Sequence, residues 1–136
     1  MDFNGDIVFA VADTRPLNID FKTELLPTKI IKKGDVIVAE RKAPKNRWVY
    51  KVKFNGYDEY LGKLEEVLDK LSEDCEYIYQ LMDMYEEVMI IVYIRSDFGQ
   101  IGYSLPITII RKLALIGCTI SFDILSFGMV ESKESQ

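Results

Sequence analysis

The chain of 136 residues carries 22 Asp+Glu against 17 Lys+Arg, a formal charge of −5, and is 49% hydrophobic. That is ample for one domain with a single buried core and excludes a disordered or fibrous chain. The sequence contains no histidine, which removes Ser-His-Asp and Cys-His catalysis, the HExxH zinc site, Cys2His2 fingers and every acid–base scheme built on imidazole.

Carboxylate-only chemistry survives that exclusion, since glycosidases and Mg²⁺-dependent phosphoryl enzymes need just Asp and Glu. The glycines form neither a GxGxxG nor a GxxxxGK[ST] loop. The longest apolar runs, Met89–Ile94 and Leu113–Ile116, fall far short of the roughly 20 residues that cross a bilayer. The N-terminus lacks the basic start and apolar stretch of a secretory signal. The expected location is therefore cytoplasmic, with no membrane contact. Cys75 and Cys118 have no CxxC spacing and are expected to be free, buried thiols.

In chain order, Ile7–Ala12 is a continuous apolar run, as expected of a central strand covered on both faces. Asp13–Pro16 ends it. A weak helical or irregular segment runs from Asn18 to Leu26, where Pro27 breaks it. A loop closed by Lys33-Gly34-Asp35 follows, then Val36–Ala39 as a short edge strand, and a basic exposed connection over Arg41–Arg47. Trp48, Tyr50, Val52 and Phe54 alternate with Val49, Lys51 and Lys53, the pattern of a half-buried strand.

From Tyr57 to Leu71 apolar residues recur at i, i+3, i+4, i+7, which predicts an amphipathic helix. The same phase continues to Tyr85, and Ser72-Glu73-Asp74 has the character of a second N-terminus, so one helix and two are both compatible with the pattern. Val88–Arg95 is apolar on both faces, a second central strand, and Ser96–Gly99 is expected to turn. Ser104 is the expected N-cap of a helix with Pro106 in its first turn, an apolar stripe of Ile109, Ile110, Leu113 and Ile116, and a stop at Gly117. A last strand alternates Cys118, Ile120, Phe122 and Ile124 against Thr119, Ser121, Asp123 and Leu125. This order predicts an α+β fold: a mostly antiparallel sheet of four to five strands with the helices on one face. Residues 1–130 form the single domain, and residues 131–136 a polar tail.

Leu25-x-Pro27-Thr28, Lys33-Gly34-Asp35, Trp48-x-Tyr50, the long amphipathic helix and Ile120-x-x-Asp123-Ile124 together resemble a bacterial family known as domain of unknown function four-two-seven-nine. The resemblance covers nearly the whole chain. It implies a small cytoplasmic protein, in some members encoded near polymorphic toxins and suspected of conferring immunity, and it supplies no catalytic residues. Family members usually carry a clear helix before the Pro-Thr pair, whereas Asn18–Thr23 is a poor helix former here. Each matched residue also has a plain structural use: Pro27 and Gly34 as loop punctuation, Thr28 and Lys33 beside them, Trp48 as a core or rim aromatic, Asp123 as a solvated or Lys-paired carboxylate.

The two parts of the chain differ in sign. Residues 1–56 hold 11 basic against 7 acidic residues (+4), and residues 57–136 hold 6 against 15 (−9). Glu65, Glu66, Asp69, Glu73, Asp74 and Glu76 lie off the apolar stripe and form an acidic helix face, which suits either plain solvation or a basic partner such as a nuclease toxin. A pI near 4.8 argues against nucleic acid as the partner of the basic residues. The leading expectation is a non-enzymatic interaction domain without cofactor or metal, an immunity protein in its most concrete form. The alternative is a small-ligand-binding domain or carboxylate-dependent enzyme with a pocket near Trp48, Tyr50 and Asp123. A homodimer through an exposed edge strand is compatible with both.

Overall fold

The apolar run that begins at Ile7 becomes the centre of a five-stranded sheet. In the computed structural model, which describes residues 3–23, 25–99 and 102–129, β1 (Phe3–Asp13) pairs antiparallel with β3 (Asn46–Asn55) on one side and β4 (Glu87–Phe98) on the other. A three-residue strand, β2 (Lys29–Ile31), flanks β3, and β5 (Thr119–Met129) runs parallel to β4 at the opposite edge. The sheet order is β2-β3-β1-β4-β5. The one parallel pair follows from the connection through α3 (Ile107–Ile116), which returns the chain to the end of the sheet from which β4 started. The fold is α+β, as the order of elements predicts.

Three helices cover one face. α1 (Tyr57–Ser72) packs on β1 and β3, α2 (Cys75–Met84) on β4, and α3 on α1. The core between the layers takes Ile7, Phe9 and Val11 from β1, Ile90, Val92 and Ile94 from β4, and Leu64, Leu68, Leu71, Ile78 and Leu81 from the first two helices. Strand alternation sends one side chain in two toward the helices, and the helical spacing supplies the matching stripe. Gly5 lies where β1 passes closest to its neighbours. A Cβ there would sit 1.7 Å from the Tyr93 carbonyl oxygen and 2.9 Å from the Phe54 ring.

The helical run of residues 57–85 is two helices, broken at Glu73 and Asp74. Asp74 stands at the N-cap position of α2 without capping it. Its Oδ2 instead accepts a hydrogen bond from Thr23 Oγ1 (3.0 Å), fastening the irregular segment of residues 14–23 to the helical layer. That segment contains no helix among its described residues, in keeping with its poor propensity.

Four local expectations are corrected. The short edge strand is Lys29–Ile31 rather than Val36–Ala39, because Thr28 engages β3 on both sides. Thr28 N and Oγ1 donate to the Val49 carbonyl (2.8 and 3.0 Å), and Lys51 N donates to Thr28 Oγ1 (2.7 Å). Ser96–Phe98 does not turn. β4 runs on through it, and the turn-rich composition marks a bulge in the pairing with β5 between Ser96 and Phe98. Pro106, with extended backbone, is the N-cap residue of α3, and Ser104 N binds the Tyr57 hydroxyl (3.0 Å) instead. Ile110 faces solvent, while Ile109 and Ile116 are buried. The tail, residues 131–136, lies outside the described residues. Among the described residues no helix is long and apolar enough to cross a membrane.

Candidate functional site

The Pro-Thr and Lys-Gly-Asp residues build the base of a flap. After β2 the chain reverses at Lys32–Asp35, where Asp35 N donates to the Lys32 carbonyl (2.9 Å) and Asp35 Oδ2 accepts from Lys32 N (2.8 Å). Gly34 takes φ +92°, a conformation that a side chain would strain. The flap is then a narrow hairpin: Gly34 N to the Ala43 carbonyl, Ala43 N to the Asp35 carbonyl and Ile37 N to the Arg41 carbonyl. Its tip turns at Ala39 and Glu40, both at positive φ, the backbone of a tight hairpin turn that ordinarily favours Asn and Gly. Lys33 N reaches Asn46 Oδ1 (2.9 Å), and Asn46 Nδ2 donates to the Arg15 carbonyl (2.9 Å), so the flap base is anchored to the segment after β1.

The flap stands over one end of the sheet face that the helices leave open. Cross-strand register places Ala12 between Arg47 and Glu87, Ala10 between Val49 and Met89, and Val8 between Lys51 and Ile91 on that face. Val8, Ala10 and Ile91 are nevertheless buried, covered by Val49, Met89 and Tyr93. Between this floor and the flap residues Ile37, Ala43 and Pro44 lies a cleft of about 470 Å³. At its mouth Lys45 Nζ binds Glu87 Oε2 (2.9 Å) and approaches Glu86 (3.7 Å). The hydrogen bond to Glu87 raises the Lys45 pKa above its ordinary value.

At the end of β1 a separate polar knot fixes the chain. Asp13, fully buried, accepts from Arg15 Nη2 (2.9 Å), Arg15 N (2.8 Å) and Glu86 N (3.0 Å), and Arg15 also donates to the Met84 carbonyl. The Arg15 guanidinium holds the Asp13 carboxyl far below the usual carboxylate range.

Trp48 and Asp123 do not share a pocket. Trp48, opposite Val11 on the helix-covered face, is 5% exposed and packs against Phe9 and Phe21 with ring centroids 6.1 and 5.3 Å away. It borders a cavity of about 580 Å³ with Leu17, Ile19, Pro27 and Ile30. Asp123 lies across from Tyr93 on the open face, exposed, with β1 and β4 between its strand and that of Trp48. Tyr50 accepts a hydrogen bond from Lys70 Nζ (3.1 Å) at the flank of α1.

The acidic helix residues divide into paired and unpaired groups. Glu65 and Asp69 are clamped by Lys112 of α3, at 3.3 and 2.7 Å, and Glu66 lies 3.6 Å from Lys63. The hydrogen bonds to Asp69 and Glu65 raise the Lys112 pKa. Asp74 is occupied by Thr23. Among the described residues Glu73, Glu76 and Asp83 have no cationic partner within 4 Å.

The family model described as Domain of unknown function (DUF4279) matches residues 4–127. The chain belongs to this family. No curated protein and no solved structure matches it. In this DUF4279 protein the matched motifs therefore have visible structural employment: Thr28 secures β2, Gly34 and Asp35 turn the flap, and Trp48 fills the core.

Sequence reasoning missed two exposed features of the DUF4279 chain. Where α2 meets α3, Tyr79 and Leu115 are 40% and 56% exposed side by side, and the Tyr79 hydroxyl donates to the Leu115 carbonyl. Glu76 and Asp83 lie three and four residues either side of Tyr79, on its face of α2. The second feature is the β5 edge, where Ile124, Leu125 and Phe127 are exposed. Among the described residues no cluster of three or more Cys, Asp and Glu side chains converges as a metal site.

Proposed function

We propose that this DUF4279 protein is a recognition domain that docks a basic protein partner on its helical layer. The observation that carries the reading is the α2–α3 surface, where Tyr79 and Leu115 stand exposed and Glu76 and Asp83, on Tyr79's face of α2, have no cationic partner within 4 Å among the described residues. Aromatic and aliphatic anchors inside a charged rim are the anatomy of protein interfaces, the anchors supplying affinity and the rim supplying encounter rate and register. The centre of the acidic face therefore shifts from Glu65, Glu66 and Asp69, which spend much of their charge on Lys112 and Lys63, toward α2. A basic nuclease toxin fits this chemistry, and neutralising one in the cytoplasm would make the protein an immunity protein.

The test is titration of the purified protein against the product of a neighbouring toxin-like open reading frame, at low salt and at roughly 0.5 M, where exposed charge pairs are screened. A one-to-one complex that weakens at high salt, that Glu76→Lys with Asp83→Lys abolishes, and that Tyr79→Ala weakens about tenfold or more supports the proposal. A complex indifferent to all three changes, or none at either salt, refutes it.

A further inference from the structure

The cleft beneath the flap has the attributes of a small-molecule site independent of the helical layer. Its volume of about 470 Å³ falls within the range of small-ligand pockets. The space exists because alanines stand where a sheet would normally carry larger side chains: Ala10 and Ala12 on the central strand, Ala43 on the flap. Met89 and Ile91 complete an apolar floor, and Ile37 forms the wall.

The charge at the mouth is asymmetric. Lys45 is engaged by Glu86 and Glu87, and Glu87 is neutralised by it. Arg47, across Ala12 from Glu87 in the same row of the sheet, lines the cleft with no carboxylate within 4 Å among the described residues. An apolar chamber with one uncompensated guanidinium at its rim is complementary to a molecule with an apolar body and one planar anionic head, because a guanidinium meets a carboxylate through two parallel hydrogen bonds.

We infer that the cleft between the open sheet face and the flap binds a small apolar carboxylate, its head on Arg47 and its body on Ala10, Met89 and Ile91. The Lys45–Glu87 pair closes the opposite side of the mouth and, being mutually neutralised, offers the head group no net charge there, which leaves Arg47 to set the orientation.

Isothermal titration of the protein with octanoate tests this, with octanol as the uncharged counterpart and carbon-13 methyl spectra reading Ala10, Ala12, Ala43 and Met89. The expected result is saturable one-to-one octanoate binding with shifts concentrated at those methyls, and octanol about tenfold weaker or worse, the usual difference for a charge-assisted hydrogen bond. Arg47→Gln, at a partly exposed position, should retain the urea midpoint of the parent and reduce octanoate to the affinity of octanol. Equal binding of acid and alcohol, methyl shifts elsewhere, undiminished octanoate binding by Arg47→Gln, or no shift at millimolar octanoate would each overturn the inference.

Discussion

Tyr60→Phe should stabilise this protein. Tyr60 is fully buried, and its hydroxyl has no hydrogen-bond partner among the described residues. The ring is held by Phe3, Phe54 and Tyr57 with centroids 6.0, 5.3 and 5.8 Å away, and phenylalanine would keep all three contacts. What the substitution removes is the cost of stripping a hydroxyl of water without replacement, about 1–3 kcal/mol for a buried unsatisfied group. Allowing for local relaxation, a gain of about 1 kcal/mol is expected, or roughly 3–5 °C in Tm for a chain of this size.

The same residue gives a signature in pH. Burial pushes the Tyr60 pKa up to about 12, whereas the unfolded hydroxyl ionises near 10. Below pH 10 both states hold the proton and stability is intact. As pH rises toward 12 the unfolded state alone releases it, and the parent loses on the order of 2 kcal/mol that Tyr60→Phe does not lose. Urea unfolding followed by the single Trp48 at pH 7, 9 and 11 reads both effects, since the other tyrosines titrate alike in the two proteins. A variant destabilised by 1 kcal/mol or more at pH 7, with no widening of the difference by pH 11, would show that the hydroxyl is satisfied and the reasoning wrong.

Gly5→Ala is expected to cost at least about 2 kcal/mol, because its Cβ would meet a backbone carbonyl at 1.7 Å rather than a side chain able to move; an unchanged urea midpoint would contradict that packing. Burial raises the Cys118 thiol to about 11, so at pH 8 iodoacetamide should modify native Cys118 about a hundredfold more slowly than the urea-unfolded chain. Peptide mass spectrometry against time measures both rates, and comparable rates would show the thiolate to be accessible.

The elements that could be read from the residues are those whose own periodicity decides them. β1 and β4 are apolar on both faces because one face meets the helices and the other is partly covered. α1 and α2 carry the stripe that those strands require. What could not be read depends on distant partners. β2 is three residues long and exists because Thr28 grips Val49 and Lys51. Val36–Ala39 has strand-like composition, but the turn at Ala39 and Glu40 bends it into the flap, a choice of backbone that Ala and Glu do not announce. The acidic face was visible as spacing, while its neutralisation at Glu65 and Asp69 depends on Lys112, over 40 residues away. The cleft combines Ala10, Ala43 and Met89 from three separate stretches, and alanine carries no signal on its own.

The central position of β1 has a consequence for how the chain is made. Both neighbours of that strand are synthesised after it: Trp48 must arrive before Val11 has its partner on one side, and Val88 before it has one on the other. During translation the run Ile7–Ala12 therefore waits with both edges open until β3 emerges, and with one edge open until β4 does, after more than half of the domain has left the ribosome. Closing such distant pairings is intrinsically slow, and an unpaired apolar strand is the species most prone to join another copy of itself. The nascent chain should depend on chaperone protection until β4 emerges, and the solubility of truncated forms should change abruptly between those ending before Glu87 and those ending after Phe98.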